Sequence, residues 1–495
     1  MNLTSRGKVY LTICLLSLLF SYFIITLNYF PNLGVAVTFL IFILFSYKYK
    51  EGKAKDNKLY FVFALLFSIL IFVRSEPLTT FLNLSAALFF GFLMLLPNRE
   101  KRFGFADYIY APFLFLFKSV FAQSDYYLES NKKKGNSKSV KISELAFGIL
   151  ITIFLMVIVL PILSSVNPIF QKIVLDFWNY FNLENLIKII GLESLFIWLL
   201  RVVFFLFFIF IIPKVMTLIN KSDNFLFPIN FKKEELPLII PKLILVIVLI
   251  VFFITQIQFY FANEVTLQNL GLSHSQRARE VFAQLTIVSG IVMLLIYNAR
   301  QKSSFGKTLI WILGVEGLFL TLMAYKSDFE YINAWGLTYI RLYGLTFATW
   351  VTGIFVLFFR NYRKKSEAFF FVKKTIIFSG VILLALNFFN FDYLIYHVNK
   401  ARTGQGIDYT YLSYLSPDSL SYGDQFMKLE EESAQGKYAL DSYDNKNPLI
   451  IIYKIENLQK KYSKIDIRTM SLLEFWEYQQ IKSVDTKELK ALYEK

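Results

Sequence analysis

Three ionisable residues, Arg201, Glu316 and Arg341, stand inside long apolar stretches of the chain. A charge at such depth is costly and marks either a functional group or a buried pair. If the stretches cross a membrane, Arg201 lies seven residues from the start of its span. Glu316 lies near the middle of its own, and Arg341 about one turn below the surface. Matched depths allow an Arg201–Glu316 or an Arg341–Glu316 ion pair. Two roles stay open. The charges pin helices together, with Arg341 free to snorkel outward, or they line a substrate or ion path in which Glu316 carries a proton.

A second cluster is Ser273-His274-Ser275-Gln276-Arg277-Ala278-Arg279-Glu280. A Ser–His–acid hydrolase uses these residue types, but it also needs an oxyanion hole and a placed acid. Arg277 and Arg279 suit contact with an anion or lipid headgroup, and ordinary capping by a solvated loop is the plain alternative. The first outer loop, Asn28-Tyr29-Phe30-Pro31-Asn32, has no carboxylate, which disfavours a membrane glycosyltransferase. Walker, dinucleotide and kinase signatures are absent. With one cysteine, Cys14, and two histidines, His274 and His397, no metal site and no cofactor is expected.

These residues must be positioned by apolar runs at approximately 9–27, 33–47, 59–73, 77–97, 142–164, 194–213, 239–262, 282–298, 308–325, 337–359 and 375–394. About 20 apolar residues in a helix cross a hydrocarbon core of about 30 Å. Each helix satisfies its own backbone, as lipid demands. The expected fold is therefore an all-α integral membrane protein of about eleven spans. The first run has no small-residue cleavage site and is taken as a retained anchor. Gly-x-x-x-Gly is nearly missing, so close crossings must use Ala, Ser and isolated Gly.

Charge gives the direction. Loops on one side hold 29 Lys and Arg, whereas the opposite short loops hold six: Arg74, Lys172, Lys188, Arg277, Arg279 and Lys326. The positive-inside rule puts the N-terminus in the cytoplasm and, after eleven spans, the C-terminus outside. The net charge of +16 does not imply nucleic acid, because from His397 onward 14 basic residues face 15 acidic ones. The excess belongs to the membrane part. There the bilayer is the partner, with anionic lipids a candidate at the cytoplasmic face.

The chain divides into a four-span bundle (1–98), a cytoplasmic basic and aromatic loop (99–141), a seven-span bundle (142–395) and a small, mostly helical extracytoplasmic domain (396–495). Within the loop, Tyr108 to Ala122 is expected at the interface. The segment 165–193 is amphipathic. In the tail, Ser416-Pro417-Asp418 reads as an N-cap followed by Pro, and Ser471 to Glu474 has capping-box spacing. Leu449–Ile455 suits either a helix or a strand.

Three ordered stretches carry a resemblance. The first is Gln256-Ile257-Gln258-Phe259-Tyr260-Phe261, followed by Ala278 to Leu285 with Arg279 and Phe282. The second is Gly336-Leu337-Thr338-Tyr339-Ile340-Arg341-Leu342. The third runs through Asn399, Arg402, Gly404, Asp408, Tyr411, Leu412, Leu415, Ser416 and Asp418. Together they resemble the bacterial multi-pass membrane family catalogued as domain of unknown function 4173, related to domain of unknown function 4153, over about residues 140–495. Val281 stands where that family usually has Gly, and Ala262-Asn263 where it often has a Gly pair. The resemblance implies a multi-pass protein of the bacterial inner membrane, and no chemistry.

The leading expectation is a non-enzymatic scaffold or sensor. Its outer-face binding surface would include His274, Arg277, Arg279, Asp408 and Asp418, and its partner would be another membrane or extracytoplasmic protein. The rivals are a secondary transporter using Glu316 with Arg201 or Arg341, and an extracytoplasmic lipid- or glycan-modifying enzyme.

Overall fold

The computed structural model describes residues 5–26, 29–49, 57–95, 193–220, scattered positions between 242 and 296, 304–363, 368–399, 409–434, 447–464 and 466–493. All regular structure among them is helical. Eight long helices come first: α1 (Ser5–Ile24), α2 (Asn32–Tyr49), α3 (Lys58–Val73), α4 (Pro77–Leu95), α5 (Glu193–Asn220), α6 (Ser304–Trp335), α7 (Tyr339–Arg363) and α8 (Ala368–Phe388). Four stretches, Pro77–Leu95, Ser304–Trp335, Tyr339–Asn361 and Phe371–Phe388, are long and apolar enough to cross a membrane, which marks a membrane protein. The expected run 142–164, the loop 99–141 and the segment 165–192 lie outside the described residues.

Contacts divide the chain into two compact units, residues 1–31 with 111–226, and residues 32–110 with 227–495. In the first, α1 packs on α5, and Phe20 meets Phe208 edge-on at 5.4 Å.

In the second unit, α3 shows how an apolar helix sorts its faces. Tyr60, Phe63, Ala64, Phe67, Ser68 and Ile71 recur at helical spacing and are buried. Leu59, Val62, Leu66 and Ile69 fill the opposite face and are exposed. Both faces are apolar, the pattern of a helix whose outer side suits lipid better than water. On the inner side Phe63 and Phe67 meet Phe90 of α4 at 4.8 and 5.7 Å.

Isolated glycines admit the closest crossings, as the lack of Gly-x-x-x-Gly requires. A Cβ on Gly380 of α8 would stand 2.7 Å from the Phe90 ring. Gly353 of α7 receives Phe378 of α8, and Gly317 of α6 receives Phe355 of α7, each too closely for any side chain. Buried hydroxyls bond backward to the preceding turn, as Ser68 does to Ala64 O at 2.7 Å. Trp350 of α7 donates to Ser379 of α8 at 2.8 Å.

Helix α6 continues past the apolar run through Lys326, Ser327 and Asp328 to Trp335. Its end is set by Gly336 at φ +80°, whose N–H returns to Ile332 O at 2.8 Å. That is a left-handed glycine cap, and hydropathy does not register it.

After α8 the chain makes a short turn, Phe391–Tyr393, and a π-turn, Leu394–Val398. Then follow α9 (Tyr409–Ser413), a 3-10 turn (Pro417–Ser419), α10 (Tyr422–Ala434), α11 (Asn447–Ser463), a 3-10 turn (Ile467–Thr469), α12 (Leu472–Ile481) and α13 (Lys487–Tyr493). Leu449–Ile455 is helix, not strand. Ile451, Ile452, Ile455, Leu458 and Tyr462 are all buried at helical spacing, and that longer pattern overrides the β-branched run. They pack with Tyr422, Phe426, Leu429, Ile481 and Leu489. Ser471 precedes α12, but no capping box forms. Its hydroxyl donates to Val73 O at 3.3 Å, and Glu474 pairs with Lys461 at 2.5 Å.

Candidate functional site

The turn between α3 and α4 is three residues long, Arg74-Ser75-Glu76, and opens onto Pro77. Proline holds the residue before it out of the helical region and is tolerated at a helix start. Arg74 is extended, at φ −100° and ψ 143°. Glu76 caps α4, accepting from Leu78 N at 3.1 Å and Thr79 N at 2.5 Å. The turn therefore presents the Arg74 guanidinium and the N–H groups of Ser75 and Glu76 together.

Asp418 meets all three. Its carboxylate accepts from Ser75 N at 2.9 Å, Ser75 Oγ at 2.5 Å and Glu76 N at 3.2 Å. Arg74 Nε stands 2.9 Å from Asp418 Oδ2, with Arg74 2 % and Asp418 0 % exposed. The Nε–H is not aligned on that oxygen, so the contact is an ion pair and not a directed hydrogen bond. Ser416 sets the acid in place: its Oγ accepts from Asp418 N at 3.2 Å and Pro417 follows, as its cap spacing requires. Leu420 closes the turn in the left-handed region at φ 51°, a strain of about 1–2 kcal/mol for a branched side chain. Asn390 donating to Asp418 O at 2.7 Å and His397 against Ser419 O at 3.1 Å hold it there.

A second acid, Asp392, is also 0 % exposed and lies 3.8 Å from Arg74. The Tyr339 hydroxyl and Ser416 N, the latter at 2.8 Å, donate to it. Tyr339 N donates to the Tyr411 hydroxyl at 2.9 Å. Below this layer Asn83 of α4 and Asn387 of α8 exchange side-chain amide bonds at 2.8 and 2.9 Å. Arg74 reaches Asn387 O at 3.4 Å, while Asn32 of α2 donates to Arg74 O at 2.9 Å. Tyr343 of α7 lies 3.3 Å from Glu76 Oε2 and 3.2 Å from Thr79 Oγ1. Five helix ends, those of α2, α3, α4, α7 and α8, and the C-terminal segment thus share one buried polar network.

Its charge is unbalanced. Asp392, Asp418 and Glu76 face one guanidinium, Arg74. Burial pushes the carboxyls of Asp392 and Asp418 up, against the Tyr339 hydrogen bond in the first case and the Arg74 charge in the second. The negative charge of Asp418 adds to the upward push on Asp392. Lys454 donates to Ser413 O at 2.7 Å and Leu415 O at 2.9 Å, and burial brings its amine down to about 8. The arrangement binds two parts of the chain together. Among the described residues no group of three His, Cys, Asp or Glu could hold a metal ion.

Several residues singled out in the sequence converge here. Tyr411, Ser416 and Asp418 belong to the network, and Leu412 and Leu415 are buried beneath it with Leu342, Leu386, Phe391 and Ile395. Asn399 accepts from Leu337 N at 2.6 Å and donates to Leu337 O at 3.2 Å, closing the turn at Gly336, and Thr338 O accepts from Leu342 N at 3.0 Å. A Cβ on Gly336 would collide with the Asn399 amide. Arg341 bonds Gly336 O, lies over the Tyr331 ring at 4.0 Å and feels the charge of Asp328, which is 1 % exposed. Arg201, in the other unit, lies over Tyr22 at 5.2 Å and Trp198 at 5.9 Å. Glu316 is 6 % exposed, and neither of its carboxylate oxygens has a hydrogen-bond partner among the described residues. Gln256, His274, Arg277, Arg279, Phe282, Arg402 and Asp408 lie outside the described residues.

The sequence reading passed over Arg74, Glu76, Asp392, Asn83, Asn387, Tyr339 and Tyr343 as site residues. Arg74 entered only as one loop charge among six. Arg-Ser-Glu-Pro in a three-residue turn, and an asparagine in each of two apolar runs, were the available signals.

No curated protein and no solved structure matches the chain. A family profile matches residues 61–426, from within α3 to within α10, and so starts earlier and ends earlier than the 140–495 expected from motifs. The match encloses every member of the network except Asn32 and Lys454. The chain belongs to the family described as domain of unknown function (DUF4153).

Proposed function

We propose that this chain is a non-enzymatic scaffold or sensor whose C-terminal helices form a binding platform fixed to one end of a membrane bundle. The observation that carries the reading is the buried contact of Arg74 with Asp418 and Asp392. A tethered appendage would have no use for a fully desolvated ion cluster at its root. A rigid platform does, because a shift in the platform is passed directly to α3, α4, α7 and α8. Charge counting supports eleven spans, an inner N-terminus and an outer platform in a bacterial cytoplasmic membrane. The ordered motifs support a resemblance to the related domain of unknown function 4173. The partner in this reading is another membrane or extracytoplasmic protein, with anionic lipid at the cytoplasmic loops.

A second reading, secondary transport, is favoured by Glu316, a buried carboxylate in mid-helix with no hydrogen-bond partner among the described residues. One comparison separates the two. In a host lacking the gene, the scaffold reading expects Asp418→Asn and deletion of residues 396–495 to fail equally in restoring the phenotype, and Glu316→Gln to restore it. Restoration by the deletion and failure by Glu316→Gln would sink the platform and favour transport.

A further inference from the structure

Helix α12 packs Phe475, Tyr478 and Ile481 on the core of the C-terminal helices, yet it leaves its one indole outside. It turns Glu474 and Glu477 inward, at 9 % and 0 % exposure, and Trp476 outward, at 50 %. The acids are engaged within the domain. Glu474 meets Lys461 and the Tyr462 hydroxyl, and Glu477 accepts from Tyr422 N at 2.6 Å at the start of α10. The outer face is left with the Trp476 indole beside Gln479 and Gln480, an aromatic ring among uncharged polar groups. On the preceding 3-10 turn, Ile467 is 63 % exposed. Leaving such side chains half in water forgoes part of the roughly 1.5–3 kcal/mol that full burial gives.

The position of this face identifies its solvent. Ser471, directly before α12, bonds to Val73 O at the last residue of α3. The Ile467–Thr469 turn packs on α2, and α12 packs on α3. Val73 adjoins Arg74, which reaches Asn387 O, and the next residues of α8 and beyond, Phe388 and Phe389, are 81 % and 62 % exposed. At the head of α7, Ile340 is 79 % exposed. Exposed rings and aliphatics thus gather at the level where the lipid-facing stripe of α3 ends. That level is the headgroup layer, where Trp is most stable.

We propose that Trp476 and Ile467 insert into the phospholipid headgroup layer of the bilayer that the bundle crosses, continuing the apolar stripe of α3. The partner is phospholipid. Lys464 and Lys482, both exposed and flanking the segment in sequence, supply cations for its phosphates. The domain would then be held at its root by the ion cluster and along one side by the membrane surface. The inference holds for either orientation of the bundle and rests only on its crossing a bilayer.

Cys14 is the only cysteine, so site-specific labelling of the full-length chain is direct. A Cys14→Ser chain carrying Ile467→Cys or Trp476→Cys is spin-labelled and reconstituted in nanodiscs of phosphatidylcholine with phosphatidylglycerol. Power saturation then compares access by oxygen with access by an aqueous nickel chelate. Leu66→Cys on the stripe of α3 is the lipid reference, and Glu431→Cys, exposed on α10, is the water reference. The expected oxygen-to-chelate ratio at 467 and 476 is several-fold above that at 431 and approaches that at 66. A ratio equal to that at 431 overturns the proposal. Shielding from both reagents, which would mean that a protein covers the face, overturns it too.

Discussion

Arg74 Nε and Asp418 Oδ2 lie 2.9 Å apart although one residue ends the third helix and the other sits in a turn of the C-terminal segment. Removing one member of such a buried pair leaves the other charged and unmatched, at a cost of about 3–5 kcal/mol. Arg74→Met or Asp418→Leu alone is expected to release the C-terminal helices to protease in detergent. The double substitution removes both members of the pair and leaves only Asp392 short of its guanidinium, so it should cost clearly less than the sum. A double-mutant cycle on thermal unfolding reads the difference. Strict additivity would show that the two residues do not act together.

Asn83 and Asn387 satisfy one another's amides across α4 and α8. Asn83→Leu alone strands the Asn387 side-chain oxygen, while its N–H keeps Leu383 O at 3.0 Å, and should lower stability by about 1–3 kcal/mol. Changing both to Leu should recover most of that loss. Thermal unfolding in one detergent compares all four proteins, and equal losses in the single and double variants would refute the pairing.

Gly336 is needed on two counts. An L side chain at φ +80° is strained by about 1–2 kcal/mol, and a Cβ there also meets the Asn399 amide. Gly336→Ala should lower the melting temperature. In an Asn399→Ala background the same change should cost less, because only the backbone strain remains.

Glu477 predicts a pH dependence. Burial pushes its carboxyl up to about 7 from an ordinary 4.5, against the N–H groups of Tyr422, Gly423 and Ser421 that it accepts. Between those values the folded state keeps a proton that the unfolded chain has lost. Stability of the C-terminal helices is therefore full below the lower value and falls as pH rises through the upper one, by about 3 kcal/mol in all. Hydrogen exchange over residues 422–493 at about pH 5 and about pH 7.5 should show faster opening at the higher value, and Glu477→Gln should flatten the difference.

The sequence announced some of this and hid the rest for physical reasons. Apolar runs located the long helices, because lipid-facing and core-facing surfaces are both apolar. They misjudged where α6 stops, because Lys326 and Glu330, 3.8 Å apart on one face, continue the helix beyond the last apolar residue until Gly336 ends it. Asp418, Ser416, Tyr411 and Asn399 were visible through ordered motifs. Arg74 was not, since its partners lie in distant segments and a short loop normally leaves an arginine in water. Asn83 and Asn387 carry no charge, so a search for intramembrane ions passes over them.

The Arg74 turn also imposes an order on biogenesis. Ribosomes deliver about 5–20 residues per second, so Arg74 leaves the tunnel roughly half a minute before Asp392 and Asp418 exist. Through that interval the α3–α4 hairpin carries an unneutralised guanidinium, and the seat for the C-terminal helices stands vacant. A segment made late thus closes a hairpin made early, and the α3–α4 turn stays without its acids until Asp418 has been synthesised.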